Sequence, residues 1–306
     1  MIITRIARSA GLDENFLARI AKTASHRYKT YSIPKKTGGT RVISHPSKEL
    51  KFLQRWLVDN LFTHLPVHDS VYSYRDGVGI RDHALVHARK NYLLRVDFSN
   101  FFPSIKASDI ARLLNENRGR FPFRLNNQDI EIVCAIVCKN GQLTIGAPSS
   151  PILSNAVLYA VDKYWTTRCK RNDIVYSRYA DDMYFSTREP NVLKSMFAEF
   201  QKYFRNLESP KLQINRDKTV FTSRKRKRHV TGLVLSSNNK VSIGRNKKRW
   251  VRGLVYKFKN GQLSDEQMSY LRGYLAFVKQ VEPSFYRALE TKYGKNLLHA
   301  IYQSMQ

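Results

Sequence analysis

The sequence predicts an α+β protein in which antiparallel strands gather carboxylates on one sheet and helices fill out the rest of the chain. Three observations lead there. The stretch from Ile174 to Thr187 holds two short runs of β-branched and aromatic residues around Tyr179-Ala180-Asp181-Asp182, the pattern of two strands joined by a tight turn. Upstream, the apolar run Tyr92-Leu93-Leu94-Arg95-Val96 leads straight into Asp97, as where a buried strand emerges. Elsewhere apolar residues recur at helical spacing, as at Leu50, Leu53, Leu57 and Leu61, and again over 192–204.

The carboxylates carry the chemistry. Two adjacent aspartates at a hairpin tip raise each other's pKa unless a cation neutralises them. Asp97 at a strand end is costly unless it too is paired. Oxygen ligands from Asp97, Asp181 and Asp182, with a backbone carbonyl near Phe98, suit Mg²⁺, which keeps waters and substrate phosphates as its other ligands. Two such ions clamp the attacking and leaving oxygens of an in-line phosphoryl transfer.

Composition agrees with a polyanionic partner. The chain has 306 residues, 42% hydrophobic, with a net charge of +29, which favours nucleic acid over a membrane surface. No stretch approaches the roughly 20 apolar residues of a membrane span, and Met1-Ile2-Ile3-Thr4-Arg5 lacks the pattern of a cleavable signal. Cys134, Cys138 and Cys169 give no disulfide framework and point to a reducing cytoplasm.

In chain order, 1–27 reads as an N-terminal helical segment interrupted near Gly11. Strand character follows over 28–46 around Thr37-Gly38-Gly39-Thr40, flanked by Lys35, Lys36 and Arg41. Ser47 is a suitable N-cap for a helix over 47–65. A helix over 80–88 carries His83 and His87; without a nearby cysteine or a spare carboxylate of suitable spacing, a helix-packing or RNA-contact role for His87 fits better than zinc. After a mainly helical 107–140, Gly146-Ala147-Pro148 offers backbone that a nucleotide or template can approach, and a long helix runs over 149–168. Beyond the hairpin come a strand at 212–215, Lys218, the basic run Arg224-Lys225-Arg226-Lys227-Arg228, and a strand over 230–235. Helices over 245–257, 264–280 and 283–303 complete the chain. From Arg224 onward there are 18 Lys/Arg against 4 Asp/Glu, a basic surface that includes Lys247, Lys248 and Arg249.

Taken together and in order, these blocks resemble the reverse transcriptases, and within them the bacterial retron type. The resemblance spans about Tyr28 to Tyr302. It rests on Tyr31-Ser32-Ile33-Pro34-Lys35-Lys36 with Gly39-Thr40-Arg41, the Asp97 block, Gly146-Ala147-Pro148-Ser149-Ser150-Pro151 with Leu153-Ser154-Asn155, the Asp181-Asp182 hairpin, Asn215 with Lys218-Thr219, and Val230-Thr231-Gly232-Leu233. It implies a right-hand polymerase, with fingers over 28–95, a palm over 96–235 holding a fingers insertion at about 107–145, and a basic helical thumb over 236–306. It implies Asp97, Asp181 and Asp182 as catalytic ligands of two Mg²⁺, and Lys35, Lys36 and Arg41 on the triphosphate. Phe102 would be the ring that excludes a 2′-OH, Gly146 and Ala147 would line the nucleotide site, and Lys218 would help pyrophosphate leave. Tyr179, His87 and the basic residues named above would contact nucleic acid.

The resemblance further implies deoxynucleoside triphosphate substrates and a structured non-coding RNA serving as template and primer from an internal guanosine 2′-OH. The product would be a branched RNA–DNA molecule, and the setting a bacterial cytoplasm with an antiphage role beside a separate effector protein. With no ribonuclease H segment in view, template removal falls to a host enzyme. The chain departs from the family in two places: His83 stands where Asn is usual, and Thr144-Ile145 where Pro-Gln commonly precedes the glycine, so the glutamine's role does not transfer. The alternatives are a reverse transcriptase of another bacterial lineage, or a nucleic-acid-binding scaffold or antitoxin component of a defence complex.

Overall fold

The computed structural model describes residues 1–35 and 38–303, so Lys36 lies outside the described residues. Helices α1 (Ile2–Ala10) and α2 (Glu14–Lys22) each bury one apolar stripe, and Asp13 caps α2 by accepting from the Phe16 N–H. The antiparallel hairpin β1 (Tyr28–Pro34) and β2 (Thr40–Pro46) leads to α3 (Lys48–Asn60), where Ser47 Oγ accepts from the Leu50 N–H as its sequence position predicts. Then come α4 (Ile80–Ala88), β3 (Tyr92–Ser99), the one-turn α5 (Phe101–Ser104), α6 (Ala107–Glu116) and α7 (Asn127–Val137). The helix expected over 149–168 is two, α8 (Ser150–Val157) and α9 (Tyr159–Lys170), parted at Leu158, whose backbone (φ −89°, ψ 5°) leaves the helical range.

The central sheet is built from β3 with β4 (Val175–Tyr179) and β5 (Asp182–Thr187), and, after α10 (Val192–Asn206), from β6 (Gln213–Ser223). The strands are antiparallel in the order β4-β5-β3-β6. A small second sheet joins β7 (Arg228–Val230), β8 (Leu233–Leu235) and β9 (Val241–Ser242). The single strand expected over 230–235 is therefore a hairpin. Thr231 and Gly232 both take positive φ, 45° and 82°, which makes a two-residue turn that a glycine permits. Helices α11 (Arg245–Lys259), α12 (Asp265–Val281), α13 (Pro283–Tyr293) and α14 (Lys295–Gln303) follow, the last two separated at Gly294.

Strand alternation sorts the interior into two cores. Leu94, Val96 and Phe98 of β3, with Met183 and Phe185 of β5, enter a large core shared with α3, α7, α9 and α10. Leu93 and Tyr184 point to the opposite face, into a second core made with α4, β8 and the four C-terminal helices. By the same alternation Arg95, Asp97 and Asp182 share that second face. The three cysteines are free and buried, and burial pushes their thiols up, Cys134 to about 11 and Cys138 and Cys169 to about 12. Among the described residues no helix is long and apolar enough to cross a membrane.

Candidate active site

The β3–β5 register fixes the first two carboxylates. The last registered pair sets Val96 opposite Met183, so Asp97 and Asp182 occupy the next step across the two strands, at their ends, on one face. Asp181 sits in the two-residue turn closed by the pairing of Tyr179 with Asp182. Ala180, the other turn residue, has φ 54°, a left-handed conformation that costs about 1 kcal/mol or more in a residue with a Cβ.

Anchors from outside the hairpin hold that conformation. The Ala180 N–H donates to Ser73 Oγ at 2.7 Å, and its carbonyl accepts from Arg178 Nη1 at 3.1 Å. Arg178 is itself fully buried. Its Nε donates to Asp162 Oδ1 at 2.9 Å, its Nη2 to Asp162 Oδ2 at 2.7 Å, and its Nη1 to Asn155 Oδ1 at 3.1 Å, while the Tyr176 hydroxyl donates to Asp162 at 2.7 Å. A forked, desolvated pair of this kind fixes direction as well as distance. The tip carrying Asp181 therefore rests on a buried ion pair that reaches into α8 and α9.

Lys218 arrives by a bulge. Arg95 pairs with Val220 and Asp97 with Asn215, so residues 216–219 of β6 face the single residue Val96. Asn215 closes the loop, its Oδ1 accepting from the Lys218 N–H at 3.3 Å and its carbonyl from Thr219 Oγ1 at 2.8 Å. The excursion brings Lys218 Nζ to 3.2 Å from Asp97 Oδ1 and 3.5 Å from Oδ2. On the other side Arg95 Nε lies 3.8 Å from Asp182 Oδ1, and the Tyr184 hydroxyl donates to Asp182 Oδ2 at 3.3 Å.

Electrostatics show how little these cations suffice. Burial raises Asp182 to about 6, with Asp181 and Asp97 adding to the rise and Arg95 and Tyr184 opposing it. Asp181 is raised as well, first by burial and then by Asp97, against the charges of Lys218 and Arg41. The three acids thus feel one another, and β2 brings Arg41 within range of the tip. Among the described residues no three His, Cys, Asp or Glu side chains are gathered tightly enough to cage an ion unaided. The donor chemistry nonetheless fits a hard divalent cation: carboxylate oxygens only, two of the acids raised first by burial, with a lysine beside Asp97 and an arginine near Asp182.

Several sequence-based assignments change here. His87 is fully buried, bonded through Nδ1 to Ser186 Oγ and through Nε2 to Ser177 Oγ, each at 2.7 Å, so it packs α4 on the sheet and is not an RNA contact. His83 joins Ser177 at 2.7 Å and stacks between Tyr72 and Tyr179. Burial lowers His83 to about 3 and His87 well below its ordinary value, so both are neutral. Arg228 is also buried, donating to the carbonyls of Lys90 and Ser236, which withdraws it from nucleic acid. Lys248 is engaged by Glu282 at 2.5 Å, whereas Lys247, Arg249 and Arg224 to Lys227 are exposed. At Gly146 a Cβ would lie 2.8 Å from the Ser44 carbonyl, so this glycine lets β2 pack closely; Ser44 N–H also donates to the Ile145 carbonyl at 2.8 Å. Phe101 is buried, and Phe102, on α5, is only partly so. Arg95, Arg178, Asp162 and Ser73 were not singled out from the sequence.

This geometry is that of a templated nucleotidyltransferase, and comparison with known proteins agrees. Residues 33–235 match the family described as reverse transcriptase (RNA-dependent DNA polymerase). Apo telomerase from Candida tropicalis shares the fold at a TM-score of 0.50 and 14% identity, over 90% of this chain and 60% of that one, consistent with a right-hand polymerase architecture. Among curated proteins the chain is 38% identical to the Retron Ec83 reverse transcriptase of Escherichia coli, over 92% of this chain and 91% of that one. It is 32% identical to the Retron Ec73 reverse transcriptase of the same organism, over 88% of each, and 28% identical to the Retron Mx162 enzyme of Myxococcus xanthus, over 92% of this chain and 64% of that one. The chain belongs to the bacterial retron reverse transcriptases and is an RNA-directed DNA polymerase.

Proposed function

We propose that this polymerase copies a structured non-coding RNA that is both template and primer, starting from an internal guanosine 2′-OH, to give RNA joined covalently to single-stranded DNA. The observation that carries the active-site reading is the adjoining placement of Asp97 and Asp182 at the ends of β3 and β5, with Asp181 at the tip and both hairpin acids raised by burial and by their neighbouring carboxylates. Asp97, Asp181 and Asp182, with the Phe98 carbonyl, would hold two Mg²⁺, which supply charge neutralisation at the triphosphate and acidify the attacking hydroxyl.

The protein's own residues do the positioning. Arg41, with Lys35 and Lys36, draws the triphosphate of an incoming deoxynucleotide toward the carboxylates. Lys218 on its bulge is placed to exchange Asp97 for the departing pyrophosphate. Phe102 sets the floor under the sugar, and Tyr179, stacked on His83, offers a ring to the strand end. Residues 28–95 act as fingers, 96–235 as palm and 236–306 as a thumb whose exposed Lys247 and Arg249, with Arg224 to Lys227 before them, hold phosphates. In the cell the product would work beside a separate effector protein in antiphage defence, with a host ribonuclease H removing template.

Sequencing and debranching of nucleic acid co-purified with the protein tests this. A 2′-branched RNA–DNA hybrid that disappears in the Asp181→Asn/Asp182→Asn variant is the expected result. A linear product would refute the priming proposal.

A further inference from the structure

Arg95 has no role in the reading given so far, and its surroundings are unusual for a charged residue in the middle of a central strand. It stands two residues before Asp97 on the same face of β3, about 7 Å back along the strand. Its neighbours across the sheet are Tyr184 on β5 and Val220 on β6, and its charge reaches His229 of β7. The guanidinium is therefore set in the floor between the carboxylates and the β7–β8 hairpin.

It is also underused. Its side chain is 36% exposed, and its one ion-pair contact among the described residues is the 3.8 Å approach of Nε to Asp182, too long for a hydrogen bond. Buried Nε has no hydrogen-bond partner among the described residues, and no acceptor among them lies closer to the guanidinium than Asp182. Arg178 offers the contrast on the opposite face, with every edge of its guanidinium occupied. An arginine fork left open toward a polyanion's path matches a phosphodiester, which accepts two parallel N–H donors.

We propose that Arg95 binds a phosphodiester of the growing strand, one or two linkages behind the reacting hydroxyl, and so sets that hydroxyl's distance from Asp97 and Asp182. Arg95 is thereby a positioning residue, acting on the strand and leaving the incoming nucleotide to other groups. When a phosphate takes the guanidinium, Asp182 is released from the arginine that faces it and is free for a metal ion. This rests on the reading that the strand end is presented at the three carboxylates.

The test uses the full chain and an RNA template annealed to a DNA primer in which one of the last two phosphodiesters is replaced by an uncharged methylphosphonate. Equilibrium affinity for this duplex is measured without nucleotide, and extension is measured separately. For the unmodified protein, one methylphosphonate position should weaken binding about 10-fold, the scale of a charge-assisted hydrogen bond. Arg95→Met should bind the normal duplex about 10-fold more weakly and show less than about twofold further loss with the methylphosphonate, and its KM for nucleotide should not change. Arg95→Lys, which keeps the charge without the fork, should recover part of the affinity and part of the sensitivity. Equal sensitivity of the unmodified protein and Arg95→Met to the methylphosphonate at both positions would overturn the proposal, as would a rise confined to the nucleotide KM. If binding follows the expected pattern but the unmodified protein fails to extend the duplex, Arg95's role stands and the placement of the strand end at the carboxylates fails.

Discussion

Replacing Arg178 by Met tests whether the Asp-Asp turn depends on what lies beneath it. The change removes two donors to Asp162, the bonds to the Asn155 side chain and carbonyl, and one to the Ala180 carbonyl, and leaves a fully buried carboxylate whose remaining side-chain donor among the described residues is the Tyr176 hydroxyl. Breaking one partner of a buried pair costs about 3–5 kcal/mol, because the surviving charge stays desolvated. For a chain of this size that corresponds to a melting temperature lowered by roughly 5–8 °C. Urea unfolding followed by tryptophan fluorescence reads the loss, since Trp165 lies in the same core. A double variant, Arg178→Met with Asp162→Leu, removes the stranded charge and should regain most of the stability. Its DNA synthesis should stay depressed, because the Ala180 carbonyl remains without its anchor and Asp181 loses its fixed direction. A cost below about 1 kcal/mol for the single variant, or full activity in the double one, would show that the buried pair neither stabilises the fold nor holds the tip.

Further expectations concern the carboxylates and their neighbours. Because the folded protein holds Asp182 near 6, above its ordinary value, it binds a proton there more tightly than the unfolded chain does; stability should fall as pH rises from about 4 to about 6 and then level off. Added Mg²⁺ should reverse that loss above pH 6, raising the melting temperature at pH 7.5 more than at pH 5; an equal effect at both would contradict the assignment of Asp182 as a ligand. Lys218→Ala removes the ammonium now resting on Asp97, so Mn²⁺ titrated into the free protein should bind several-fold more tightly, by electron paramagnetic resonance, even as synthesis slows. Unchanged Mn²⁺ affinity would detach Lys218 from the metal site. Phe102→Ala should admit ribonucleotides, read as the ratio of kcat/KM for deoxy- and ribonucleotides; unchanged discrimination would remove Phe102 from the sugar site.

What the sequence made legible were the features that repeat locally. Period-two alternation gave the β4–β5 hairpin and the strand ending in Asp97, and a Ser at the start of an apolar helix gave the cap of α3. What it hid were partnerships made at long range. Arg178 sits in an alternating strand pattern that says nothing of its partner, and only the packing of α9 against β4 brings it to Asp162. His83 and His87 are visible as a pair four apart, but Ser177 and Ser186, whose hydroxyls bond their rings and fix them in the packing of α4 on the sheet, lie about 90 residues on. Arg228 sits within a basic run that otherwise faces solvent, and only the β7–β8 pairing shows that this one turns in. The β6 bulge carries no glycine or proline to announce it, so the reach of Lys218 to Asp97 had no local signal beyond the family resemblance.

Asp97, brought by a separate strand, would complete the acidic site begun by the hairpin. Single-turnover DNA synthesis by Asp97→Asn on an RNA template, with duplex affinity measured in parallel, decides this. A fall of at least about 10²-fold in rate, the scale of several kcal/mol of lost charge stabilisation, with duplex affinity held within about twofold, is the predicted result. Synthesis persisting at near the unmodified rate would mean that the chemistry is done elsewhere.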